Sequence, residues 1–198
     1  MNVRQIPALG VCPRNRIVVL WYSNTIIEQA GTLVATAPPR ETGQDVTDPP
    51  SPVSLRVRAI RIADLDQVIA IDADTTGLKK VDYWYELFHR YGTRGMRQRF
   101  FLVAESDNTI KGFIVGEVRD WEFGSPPCGW VFGISVRGDA RLAGVGSRLL
   151  EAICECFQRA GVNTVRTLLA RDNHLVMSFF RSQGMMAAPF IALERDLD

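Results

Sequence analysis

Arg141, Gly144 and Gly146 stand in the order R-x-x-G-x-G within Ile134 to Leu150, I-S-V-R-G-D-A-R-L-A-G-V-G-S-R-L-L. An apolar run that reads as a strand precedes them, and helical periodicity follows. Glycines at such a turn let the backbone approach a ligand closely and take positive φ without steric cost. The first amides of the helix lack intrahelical partners and carry the positive end of its dipole. Strand, turn and helix start together make a phosphate cradle. Its donors would be the amides of Leu142, Ala143, Gly144, Val145, Gly146 and Ser147, with Arg141 adding charge. Two phosphate loops are excluded, because no Gly-Lys-Ser/Thr follows and a dinucleotide fingerprint needs glycine where Leu149 stands. The plainer alternative is a tight turn leading into a core helix.

A second run, Asn173 to Met185, N-H-L-V-M-S-F-F-R-S-Q-G-M, decides between these alternatives. With it the chain resembles the GNAT superfamily of acetyl-CoA-dependent N-acyltransferases, whose pattern is V-x-P-x-x-R-G-x-G-x-G/A, then N-x-x-A-x-x-[LF]-Y-x-x-x-G-F on the last helix. Val136, Arg141, Gly144, Gly146, Asn173, Phe179 and Gly184 match. Gly138, Leu142, Val176, Phe180 and Met185 depart, standing where Pro, Gly, Ala, Tyr and Phe are usual. The resemblance implies acetyl-CoA as cofactor. It also implies that the main chain at Ile134 and Val136 pairs with the pantetheine arm, and that Asn173 and Phe180 flank that arm.

Acetyl transfer to an amine requires a neutral amine and stabilisation of the oxyanion and the departing thiolate. Many relatives place a carboxylate base on the cofactor strand, yet Trp130 to Val136 carries none, and Cys128 and Gly129 stand nearby. The closest acids are Glu117, Asp120 and Glu122, with Glu117 the candidate base, directly or through water. His174, beside Asn173, is a candidate relay or a surface histidine. Phe180 replaces a tyrosine that commonly protonates the thiolate, and a phenyl ring has no proton to give. An α-amino group, pKa near ~8, needs less help than a lysine near ~10.4, so the acceptor reading leans to an α-amino group or a small amine. The rival reading is a non-catalytic acetyl-CoA-binding regulatory module.

The elements that must position these groups follow from periodicity. Leu55 to Ile62 alternates as a strand, Asp64 is placed to cap a helix carrying Leu65, Val68, Ile69 and Ile71, and a second helix starts at Asp82. Trp84, Phe88 and Tyr91 share one face of it. Strands follow at Phe100–Ala104 and Ile110–Val118 around an Asp107-Asn108 turn, with Gly112 and Gly116 marking bulges or close approach. Trp130–Val136 opens the cofactor site, the next helix stops at Gly161, and Val162–Leu169 is a strand. A last helix ends at Gly184, and Phe190–Leu197 reads as a final edge strand. The fold class is α+β, GNAT-like: a mixed, mostly antiparallel sheet flanked by helices in the order β-α-α-β-β-β-α-β-α-β.

Residues 1–54 fall outside this pattern. Five of the ten prolines lie between Pro38 and Pro52, a density that reads as an extended linker. Ile17 to Tyr22 could be a short strand, but it is too short to span a membrane and lacks the flanks of a secretory signal. The division is therefore an N-terminal extension with a proline-rich linker at 1–54, either poorly ordered or translated from upstream of the true start, and an acetyltransferase domain at 55–198. With 198 residues, 46% apolar and a formal charge of +1, the composition is that of an ordinary soluble enzyme and gives no charge argument for nucleic acid. Cys12, Cys128, Cys154 and Cys156 form no C-x-x-C pair and read as reduced thiols of a cytoplasmic protein. With only two histidines, no metal site is expected. A homodimer is left open.

Overall fold

The computed structural model describes residues 55–92 and 97–197. Cys12, Ile17 to Tyr22 and the proline-rich linker lie outside the described residues. Five strands form one sheet in chain order: β1 (Arg56–Ala59), β2 (Arg99–Ser106), β3 (Thr109–Arg119), β4 (Cys128–Val136) and β5 (Val165–Thr167). β1 to β4 are antiparallel, and β5 joins β4 parallel. Helices α1 (Leu65–Thr76) and α2 (Val81–Tyr91) cover one face, while α3 (Val145–Arg159) and α4 (His174–Ser182) cover the other. This is the α+β layering expected from the periodicity.

Strand alternation divides the core. Phe101, Val103, Phe113 and Val115 point to α1 and α2, whereas Leu102, Ala104, Ile114 and Val131 point to α3. Trp84 is the anchor of the first side. It is 1% exposed, meets Tyr83 and Phe113 edge-on at centroid distances of 5.1 and 4.9 Å, and donates from Nε1 to Asp72 Oδ2 at 2.9 Å. Asp72 is fully buried and also holds Lys80 Nζ at 2.9 Å, which ties α1 to the start of α2. On the other side Phe157 of α3 lies so close to the sheet that a Cβ at Gly129 would fall 2.4 Å from its ring. The turn between β2 and β3 has Asp107 and Asn108 at φ 51° and 57°, the pair of left-handed residues that a two-residue hairpin requires.

Two expectations are corrected. Asp64 precedes α1 but makes no side-chain cap there. Its carboxylate instead accepts from the Arg61 amide at 2.7 Å and pairs with Arg58 Nη1 at 2.6 Å, because a buried guanidinium is a stronger partner than a helix amide. The strand expected at Phe190–Leu197 does not form, so the sheet ends at β5. A strand needs a neighbour to pair with and a face to bury. β5 offers three residues of edge, Pro189 lacks an N–H, and Ile191, Leu193 and Leu197 remain 84–92% exposed.

Candidate active site

β4 and β5 pair only from Gly129 with Val165 to Val131 with Thr167. Beyond that point they part, opening a cleft of about 430 Å³ that is open to solvent and lined by Phe132, Ile134, Leu169, Asn173, Val176 and Phe180 among others. Which peptide groups of β4 face it follows from the ladder with β3. Arg137 N–H donates to Lys111 O at 2.9 Å, and Phe113 is the register partner of Ser135. Antiparallel pairs alternate in the direction of their peptide groups, so Ser135 bonds toward β3 while Ile134 and Val136 turn theirs to the cleft. These are the two residues picked from the sequence.

A bulge shapes the closed end of the cleft. Val115 pairs with Gly133 and Gly116 with Val131, leaving Phe132 as an extra residue on β4. Phe132 consequently packs on the α2 side, edge-on to Tyr91 at 5.3 Å, while Val131 and Ile134 both belong to the α3 side. Sequence reasoning missed Phe132, although Gly133 inside a strand pattern was a signal for such a bulge.

At the open end, α3 begins without a side-chain cap. Gly144 is its N-cap at φ 74°, and its carbonyl accepts from Arg148 N at 3.1 Å, leaving the amides of Val145, Gly146 and Ser147 without intrahelical partners. The two glycines of the motif serve different ends. Gly144 needs its positive φ, whereas a Cβ on Gly146 would lie 3.1 Å from the ring of Phe179, so Gly146 lets α4 pack against α3. Leu142 also has positive φ, 71°, and its side chain is fully exposed. That conformation explains why the departure from glycine at this position carries strain. Arg141 and Ala143 are exposed at the same turn.

From the other wall, Asn173 caps α4, its Oδ1 accepting from Val176 N at 3.1 Å. The amide oxygen is thereby committed, and Nδ2 is left as a donor at the lip of the cleft. Phe180 is 5% exposed, lines the cleft and stacks edge-on with Phe179. His174 is the exposed first residue of α4 and does not line the cleft.

The polar groups collect on the α2 side of the sheet, beside the bulge. Glu117 accepts from Tyr91 Oη at 2.6 Å and from Arg119 Nε at 3.0 Å, and its register partner on β4 is Trp130. Burial first, and the bond to Glu117 second, push the Tyr91 phenol well above its ordinary pKa, so it stays protonated. Arg119 lies 4.5 Å over the ring of Trp130 and reaches Glu122 at 3.7 Å. Trp130 Nε1 is buried and has no hydrogen-bond partner. Cys128 is buried at the far end of β4, which leaves it outside the cleft lining. Among the described residues, no group of three or more His, Cys, Asp or Glu side chains is arranged to hold a metal, and no helix is long and apolar enough to cross a membrane.

A sheet that splays beside an uncapped, glycine-started helix is the arrangement that the resemblance to acetyl-CoA-dependent acyltransferases implies. The sequence model of the Acetyltransferase (GNAT) family matches residues 65–185, more than half of the chain, and the chain belongs to that family. It is an acetyltransferase drawing its acetyl group from acetyl-CoA. None of the curated proteins compared matches the sequence. Solved structures of similar fold include AAC(6')-Iy in complex with the bisubstrate analogue CoA-S-monomethyl-acetylneamine, at TM-score 0.64 and 16% identity over 73% of this chain and 99% of that one. Aminoglycoside 6'-N-acetyltransferase AAC(6')-Ih from Acinetobacter baumannii follows at 0.62 and 15%, covering 73% of this chain and 100% of its own. A transcriptional regulator from Bacillus halodurans C-125 gives 0.62 and 16% with the same coverages.

Proposed function

We propose that the chain acetylates a primary amine, with a small amine or an α-amino group favoured over lysine, and that the cleft between β4 and β5 holds the acetyl-CoA. The observation that carries this reading is the divergence of β4 from β5 after Val131, which frees the peptide groups of Ile134 and Val136. An extended amide-bearing arm can add to that edge as a strand would. The amides of Leu142 and of Gly144 to Ser147, with Arg141, are suited to the pyrophosphate, whereas Ala143 N–H already donates to Ala140 O at 3.4 Å, and Asn173 Nδ2 is suited to an amide oxygen of the arm. Bound there, acetyl-CoA supplies a thioester carbonyl whose carbon accepts the amine.

The chain's own residues then have three tasks. Phe180, Ile134 and Leu169 exclude water from the cleft. The bulge at Phe132 interrupts the β4 ladder at the closed end, where a backbone N–H can polarise a carbonyl oxygen. Glu117 takes the proton from the amine through water. Its carboxylate has room for about four hydrogen bonds and two are occupied, by Tyr91 and Arg119. The thiolate leaves without an enzymic acid, since Phe180 offers none.

Glu117→Gln should lower kcat by roughly 10²-fold, the low end for positioned acid–base catalysis, and more at low pH, where fewer acceptor amines are already neutral. Phe180→Tyr should keep or modestly raise kcat. A thiol-release assay against N-terminal peptides, lysine peptides and small amines measures both. A flat pH response of Glu117→Gln, equal to the unmodified protein from pH 6 to 9, moves the base to Asp120, Glu122 or water. Acetyl-CoA binding without turnover on any amine replaces the enzyme by the regulatory binding module.

The partner proposed for the exposed carboxyl-terminal residues is a second copy of the chain. Met186, Ile191, Leu193 and Leu197 lie in sequence just beyond α4, and no strand among the described residues pairs with the outer edge of β5. A reciprocal contact there closes a dimer and covers both features. Sedimentation equilibrium should give twice 22.1 kDa for the full chain. A chain ending at Ala188 should sediment as a monomer, and a monomeric full chain at tens of micromolar rejects the contact.

A further inference from the structure

The α2 face of the sheet beside the bulge carries an arginine that the acetyl-transfer chemistry does not use. Arg166, on β5, is the register partner of Trp130, so the two side chains share this face. It is half-buried, and its recorded contact is with the ring of Phe190, 4.4 Å from the guanidinium carbon. No carboxylate pairs with it among the described residues. By contrast, Arg119 is satisfied by Glu117 and Glu122. Next to Arg166, Trp130 holds its buried, unpartnered indole N–H. One cation and one N–H donor therefore lack an acceptor on the same strip of floor. That strip adjoins the closed end of the cleft, because Phe132, which packs on the same α2 face, is among its lining residues.

We infer that the acceptor amine carries a carboxylate, and that Arg166, with the Trp130 N–H, receives it. The inference rests on the acetyl-transfer reading of the cleft and narrows its acceptor to amino acids. A polycation finds a mismatched surface here. Its ammonium groups would meet Arg119 and Arg166, while the nearby carboxylates Glu117 and Glu122 are already engaged by Arg119, and Glu117 by Tyr91 as well. An amino acid is matched instead. Its carboxylate meets the guanidinium, its amine lies toward the bulge, and a planar side chain can lie against Trp130 and Phe132. A guanidinium receives a carboxylate through two parallel N–H donors, which fixes orientation as well as charge.

The experiment separates this inference from the acetyl-transfer reading by using products as well as substrates. N-acetyl-L-phenylalanine and N-acetylphenethylamine differ only in the carboxylate, as do N-acetylglycine and N-methylacetamide. Calorimetry on the CoA-saturated full chain should show the acid of each pair binding at least tenfold more tightly. Arg166→Gln should collapse that preference by tenfold or more, and Arg166→Lys should restore part of it, which a stacking role on Phe190 alone would not do. In the thiol-release assay, L-phenylalanine should exceed phenethylamine in kcat/KM, and kanamycin should be a poor acceptor. Equal affinity for the two members of a pair, or a preference that survives Arg166→Gln, overturns the anion site, as does failure to bind either acid. Absence of transfer to every amine counts against the proposed reaction, while the product-binding arm still decides the anion site.

Discussion

At the scale of single residues, two glycine positions that look alike in sequence separate physically. Gly144 holds a left-handed φ of 74° with open space around it, whereas Gly146 faces the ring of Phe179. Valine at either position should lower acetyl-CoA affinity tenfold or more, about 1.4 kcal/mol. Only Gly146→Val should also separate α3 from α4, visible as a loss of near-ultraviolet ellipticity from Phe179 and Phe180. Leu142 supplies the converse test. Its φ of 71° costs a leucine about 1 kcal/mol relative to glycine, less the extra entropy glycine loses on folding. Leu142→Gly should therefore be neutral to stabilising by up to about 1 kcal/mol in urea melts, and Leu142→Val, branched at Cβ, should be destabilising. Destabilisation by both would show that the exposed leucine makes a contact the turn depends on.

Among the elements, the most exacting join is where β1 meets the start of α1. Arg58 reaches Asp64 through two nitrogens, at 2.6 and 2.9 Å, and Glu105 of β2 through Nε at 2.8 Å. Burial alone would raise the Asp64 pKa, but the bonds from Arg58 and the Arg61 amide outweigh it and hold the carboxyl below its ordinary range. A carboxylate depressed in this way contributes stability above its unfolded pKa and loses it as pH falls through the folded one. Arg58→Leu strands Asp64 without its partner and should cost about 3 kcal/mol at pH 7, the lower end for a broken buried pair. The difference between the two proteins should shrink as the pH falls below about 4, where carboxylates protonate. A gap in melting temperature that stays constant from pH 7 to 3 would assign the loss to packing instead of charge.

At the scale of the whole molecule, the sheet, helices and cleft of the described residues lie within 55–197, and the family match begins at residue 65. Deleting residues 1–52 should leave a soluble domain with the same melting temperature in saturating acetyl-CoA. Aggregation of the shortened chain would show that Ile17 to Tyr22 completes the core. This experiment also supplies the proposed division at residue 54 with its direct check.

The sequence by itself determined the local elements of the proposed donor half of the site. A glycine turn and an uncapped helix start are features local enough that R-x-x-G-x-G followed by periodic leucines reveals them. The periodicity of α4 is local in the same sense, and the Asp107-Asn108 hairpin was legible for the same reason. Asp64 was misread because its stronger partner, Arg58, comes from the neighbouring strand. The strand at Phe190–Leu197 was overread because apolar composition states a propensity, while a strand requires an edge with length to spare. The proposed acceptor half was decided by tertiary structure alone. Tyr91, Glu117, Arg119, Trp130 and Arg166 come from α2, β3, β4 and β5, and no spacing in the chain records that the sheet register and one bulge bring them together.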